Sequence, residues 1–100
     1  MMNYNDFRLG GRYKHKYEVS DKHYIILIEA FSNKNEPINN HSFIEIDILD
    51  DELISIINNL NENKLIAIIG HIESEVCTVN DNFKYMNKLL VADKIITKGN

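Results

Sequence analysis

Residues 6–17, DFRLGGRYKHKY, alternate cleanly. Phe7, Leu9, Gly11, Tyr13, His15 and Tyr17 fall on one side, and Asp6, Arg8, Gly10, Arg12, Lys14 and Lys16 on the other. A period of two over this length predicts a β-strand with one apolar and one cationic face. The adjacent Gly10 and Gly11 predict a bulge or sharp bend of the kind small barrels need in order to curl. Ser20, Asp21 and Lys22 read as a turn, and residues 24–31, YIILIEAF, as a β-branched-rich strand buried on both sides at its start. Residues 32–42 carry the sole proline, Pro37, among several Asn and read as a mobile loop. Residues 43–49 alternate again, with Ile44, Ile46 and Ile48 toward the core and Phe43, Glu45, Asp47 and Leu49 outward.

The period then changes. Leu53, Ile56, Ile57 and Leu60 recur at i, i+3, i+4 and i+7, one helical stripe laid on a core. Asp50 is a good N-cap, and Asp51 and Glu52 suit the positive end of the helix dipole. Residues 64–76 and 83–97 return to strand character and are joined through a turn at Asn80, Asp81 and Asn82. Three strands, a helix and a long hairpin make an all-β chain in the order of a five-stranded OB-fold barrel, with its one α-helix between strands 3 and 4. The same pattern also permits other small barrels or an α+β sandwich. No internal repeat or linker divides residues 1–100, which read as one domain.

Charge alters this picture more than composition does. The net charge of -4 is unevenly spread. Residues 1–24 carry five Lys or Arg against three acids, residues 25–82 two against eleven, and residues 83–100 four against one. A phosphate-seeking partner would meet the basic ends rather than the average. One cysteine, Cys77, permits no intrachain disulfide and fits a reducing compartment. There is no signal-like N-terminus, and the longest apolar runs are far too short to span a bilayer, so a cytoplasmic protein with no membrane partner is expected. His15, His23, His41, His71 and Cys77 show no metal-ligand spacing. Asp50, Asp51 and Glu52 are explained as a helix start rather than a carboxylate cluster. Gly10-Gly11 lacks the continuation of a phosphate loop. No catalytic residue, cofactor or metal is expected.

Four stretches, in order, resemble the bacterial single-stranded-DNA-binding proteins: Gly11-Arg12-Tyr13 in the first strand, Phe43 leading SFIEIDIL before the helix, Gly70 closing LIAIIG, and Leu89-Leu90-Val91-Ala92-Asp93-Lys94-Ile95 in the last strand. The resemblance covers nearly the whole chain. It implies an OB barrel, assembly as a homodimer or homotetramer, and binding of single-stranded DNA, or else RNA, without sequence specificity in replication, recombination or repair. The chain departs from that family in several places. It has no Trp, it carries Leu49 and Cys77 where the family usually has aromatics, it shows Glu45 and Asp47 on the outward face of the third strand, and it ends in Lys98-Gly99-Asn100 without an acidic tail.

Single strands are held by base stacking on aromatic rings within a cationic groove. The candidate phosphate contacts are Arg8, Arg12, Lys14, Lys16, Lys84 and Lys88, and the candidate base platforms are Tyr13, Phe43, Phe83 and Tyr85. Pairing of the first strand with the end of the hairpin is expected to gather the basic residues with Tyr13, Tyr17, Phe83 and Tyr85 into one patch. The competing reading is an OB-fold protein-interaction or oligomerisation module, a primosome-like accessory protein with weak or no nucleic-acid binding. In that reading the basic residues are a solvated strand face and the tyrosines pack at an interface.

Overall fold

The computed structural model describes residues 5–31, 42–81 and 83–97, with the backbone alone at Glu75, Cys77, Val79, Phe83, Tyr85 and Met86. The loop expected over residues 32–42 lies outside the described residues except for Ser42. The elements are β1 (Phe7–Ser20), β2 (His23–Ala30), β3 (Ser42–Ile48), α1 (Asp51–Ile57), β4 (Leu65–Asn80) and β5 (Phe83–Thr97). They form a closed barrel in the order β1-β2-β3-β5-β4. All neighbours are antiparallel except β3 and β5, which meet in parallel at Asp47 and Val91. This is the OB-fold expected from the sequence, with its helix between β3 and β4. No helix among the described residues is long and apolar enough to cross a membrane.

Isoleucine fills the barrel. Ile26 and Ile28 of β2, Ile46 and Ile48 of β3, Ile57 of α1 and Ile68 of β4 are all shut off from solvent. Each such side chain contributes about 1.5–3 kcal/mol through removal from water. The β-branched shape suits a pleated strand, where the second branch packs against cross-strand neighbours.

Helix α1 spans seven residues and is too short to be stable alone. Burial of Leu53, Ile54 and Ile57 in the core holds it in place. The Asp50 carboxylate accepts hydrogen bonds from the amides of Glu52 (2.7 Å) and Leu53 (3.3 Å), satisfying two otherwise unpaired N–H groups.

Curvature comes from bulges and close approaches. The predicted bulge at Gly10-Gly11 is displaced. These glycines run in unbroken register with Ala67 and Ile66 of β4, and the extra residue is Lys14, between the pairs Tyr13–Ile28 and His15–Leu27. Gly11 is needed for a different reason. A Cβ there would lie 2.3 Å from the Glu29 carbonyl oxygen, so only glycine lets β1 cross β2 this closely.

Strand β1 also differs from expectation in its partners. It pairs with the opening of β4, residues 65–70, rather than with the end of the hairpin. Past Gly70 that ladder ends, and the Asn5 side chain extends it by one rung. Its amide donates to the Ile72 carbonyl (2.9 Å) and its oxygen accepts from the Ile72 N–H (3.0 Å). Beyond this point β4 and β5 continue paired only with each other, as a ribbon that closes at Asn80 and Phe83.

Candidate nucleic-acid interface

The bulge at Lys14 decides which side chains share a face. Up to Tyr13, β1 alternates as the sequence suggests, with Arg8 and Arg12 outward and Tyr13 inward. The extra residue then reverses the phase. His15 and Tyr17 pair with Leu27 and Ile25, whose neighbours Ile26 and Ile28 point into the barrel. Together with the β2–β3 register, this produces three outward rows. These are Arg12–Glu29–Phe43, His15–Leu27–Glu45 and Tyr17–Ile25–Asp47. Strands lie about 4.8 Å apart and same-face residues along a strand about 6.7 Å apart, so the rows form one continuous plate.

Three aromatic rings lie open on this plate or at its rim. Phe43 is 54% exposed, Phe31 52% and Tyr17 47%. Phe31 follows the last residue of β2, and its N–H donates to the Gly10 carbonyl at 3.0 Å. Its ring lies over Gly10, within van der Waals reach of where a Cβ there would stand (3.7 Å). The Arg12 guanidinium sits 5.5 Å from the Phe31 ring centroid and 3.9 Å from the Glu29 carboxylate. A cation over an aromatic face beside open rings suits a strand that alternates phosphate and base.

Next to Phe43 the β3–β5 seam opens. The two strands touch at Asp47 and Val91 and separate toward Phe43 and Asn87. The resulting groove, about 490 Å³, is lined by Phe43, Glu45 and Asp47 on one side and by Asn87, Lys88 and Leu89 on the other. Asp47 was expected to face solvent. It lies in the outward row but is only 8% exposed, and its carboxylate accepts a 2.8 Å hydrogen bond from His23 Nε2.

The candidate residues therefore divide. Arg12, Phe43 and Lys88 converge on the plate and its groove. Arg8 lies outward on β1, opposite Ile69. Lys14 and Lys16 leave this face. Lys14 Nζ donates to Asn63 Oδ1 at 2.5 Å, and Lys16 Nζ donates at 2.6 Å to Asn58, the C-cap of α1, where a cation also meets the negative end of the helix dipole.

Tyr13 is corrected from base platform to core residue. It is 5% exposed, and burial raises its phenol pKa, so no ring face is available for stacking. Nor does the structure gather the basic residues into one patch. Arg12 stands opposite Leu65 and Lys84 opposite Thr78, roughly 43 Å apart along β4 at ~3.3 Å per residue. Lys84 is exposed on the ribbon, and the side chains of Phe83 and Tyr85 lie outside the described residues.

Phe31 was not among the sequence candidates for base stacking. Its position directly after an apolar strand concealed it, and the row that exposes it is set by the pairing of Gly10 and Phe31.

With the barrel and its open plate defined, the class of protein is an OB-fold barrel. Known structures share this fold. The chain superposes on the mitochondrial single-stranded DNA-binding protein Rim1 of S. cerevisiae with a TM-score of 0.67 at 15% identity, covering 96% of each chain. It superposes on the Plasmodium falciparum SSB, solved in complex with single-stranded DNA, with a TM-score of 0.66 at 14% identity, covering 99% of this chain and 98% of that one. No family model matches the sequence, and no curated protein matches it.

Proposed function

We propose that the chain binds single-stranded DNA, with no fixed recognition sequence, in replication, recombination or repair. The observation that carries this reading is the plate over β1–β3, where open aromatic rings at Phe31, Phe43 and Tyr17 lie between Arg12 and the Lys88 side of a groove. The neighbouring structures of the same fold are single-strand binders by name, one of them seen with its DNA. In this arrangement Phe43 and Phe31 take bases, Arg12 and Lys88 take phosphates, and Arg8 and Lys84 extend the track at either end. The reading includes one OB domain, a homodimer or homotetramer, and a cytoplasmic setting.

Fluorescence anisotropy of a labelled mixed-sequence strand of about 30 nucleotides, several times the span of one OB fold, tests the reading. The expected result is binding at micromolar protein or below, weakening with salt at a log–log slope of about -0.7 per neutralised phosphate. Absence of binding at low salt, where the electrostatic attraction is strongest, overturns it. Light scattering reads the oligomeric state in the same samples.

A further inference from the structure

The plate contains three carboxylates, an unusual feature on a surface meant for phosphates. Two are already engaged, Glu29 by the Arg12 guanidinium at 3.9 Å and Asp47 by the His23 ring at 2.8 Å. The third, Glu45, is exposed and has no hydrogen-bond or ion-pair partner among the described residues. It follows Phe43 by two residues on the same strand face, about 6.7 Å along β3, and lines the same groove.

Resting on the single-strand reading above, we infer that Glu45 is a base-selecting residue: beside a base stacked on Phe43, its carboxylate favours guanine and disfavours thymine. The argument is one of donors and acceptors. An ionised carboxylate has two oxygens and only accepts. A base lying on the Phe43 ring turns an edge toward its neighbour on the strand. Guanine offers adjacent N1–H and N2–H donors on that edge, matched to the two oxygens as a fork. Cytosine and adenine each offer one amino group beside an acceptor nitrogen. Thymine offers a single N3–H between two carbonyl oxygens, whose lone pairs face the carboxylate. The expected order is guanine first, cytosine and adenine next, and thymine last.

The same carboxylate repels phosphates, so it carries two separable effects. Repulsion weakens every strand alike, whereas the fork acts on guanine alone. Glu45→Gln keeps the size of the side chain, removes the charge, and exchanges one acceptor oxygen for a donor amide. Because Glu45 is exposed, the fold tolerates the change.

The experiment compares labelled strands of about 30 nucleotides, oligo-dT and a repeat of dT-dT-dG in which isolated guanines avoid four-stranded assembly. A third strand replaces dG by deoxyinosine, which keeps N1–H and lacks the 2-amino group. The wild-type protein should bind the guanine repeat roughly threefold to tenfold tighter than oligo-dT, the low end of bidentate base discrimination because the site is open to water. Inosine should fall between the two. In Glu45→Gln, oligo-dT affinity should rise while the guanine advantage disappears. Equal wild-type affinity for all three strands overturns the inference and leaves the single-strand reading standing. So does a guanine advantage that survives in the variant, or a gain that is the same for every strand. Failure of every strand to bind overturns both.

Discussion

Over the thirteen positions from Ile25 to Ala30 and Ser42 to Ile48, β2 and β3 present one chemistry inward and another outward. Inward stand Ile26, Ile28, Ile46 and Ile48, four copies of one side chain with no accessible surface. Outward stand Ile25, Leu27, Glu29, Phe43, Glu45 and Asp47, which differ in size, charge and exposure. The inner face solves a packing problem that any fitting aliphatic set would solve. The outer face carries chemistry that the barrel does not require, and this is where a ligand would find its contacts. Stability and binding should therefore respond to different substitutions within the same two strands.

The largest expected effect lies inward. Ile46→Ala leaves a cavity against Ile26 and its core neighbours and should lower folding stability by about 2–5 kcal/mol. Urea unfolding would show this as a reduced midpoint. At temperatures where the variant remains folded, its salt slope for oligonucleotide binding should match the wild type. A changed slope would show that the two faces are mechanically coupled.

Phe43→Ala should do the reverse, and less severely. Loss of one stacking platform costs roughly 1–3 kcal/mol of binding. An exposed side chain away from caps and core should leave stability within about 0.5 kcal/mol. Parallel anisotropy and unfolding measurements on this variant and Ile46→Ala form a crossed test, and a loss of both properties in each would abolish the division between faces.

How far the sequence could be read follows from the same division. The element order, the Asp50 cap and the inward Ile46 and Ile48 of β3 depend on local periodicity and capping, and they stand where the sequence places them. By contrast, β2 is buried on one face rather than both, and α1 buries Ile54, which is not in the predicted stripe. The outer face depends on register. One extra residue at Lys14 moves Lys14 and Lys16 to the helix side and brings His15 and Tyr17 onto the plate, and no periodicity within the strand reveals that reversal. Tyr13 stands on the apolar face that the alternation gives it, and its pairing with Ile28 turns that face into the core, so the candidate base platform is buried. The expected single basic patch failed because β1 pairs with the near end of β4, and the long ribbon carries Lys84 away.

A charge pair sharpens this point at smaller amplitude. Arg12→Gln should reduce the salt slope by about 0.7, one phosphate contact on a single strand. Lys14→Gln should leave it unchanged, although the two residues alternate identically in sequence. Salt titrations of both variants decide whether the bulge truly separates them. Equal slopes would place the strand elsewhere than on the plate.

The smallest effect lies outside both faces, at the foot of the ribbon. The His71 ring is held between two carboxylates, with Nδ1 2.8 Å from Asp93 and Nε2 2.9 Å from Glu73. Asp93 is the extra residue of the β5 bulge opposite Ile69 and Gly70, so the bulge itself supplies the principal partner. Carboxylates only accept, so both ring nitrogens donate and the imidazolium is favoured. The hydrogen bond to Asp93, followed by that to Glu73, raises the pKa above the ordinary 6.5. Folding thus strengthens proton binding here. The stabilisation is fully present below the unfolded-state value and is lost as pH rises through the raised folded-state value. Because the ring is about one-third exposed, water screens the pair and the effect should be small. Urea midpoints measured from about pH 6 to 9 should decline more for the wild type than for His71→Gln. Parallel profiles would mean that backbone pairing alone holds the ribbon foot, and that stability in this chain resides in the inner face and its ladders.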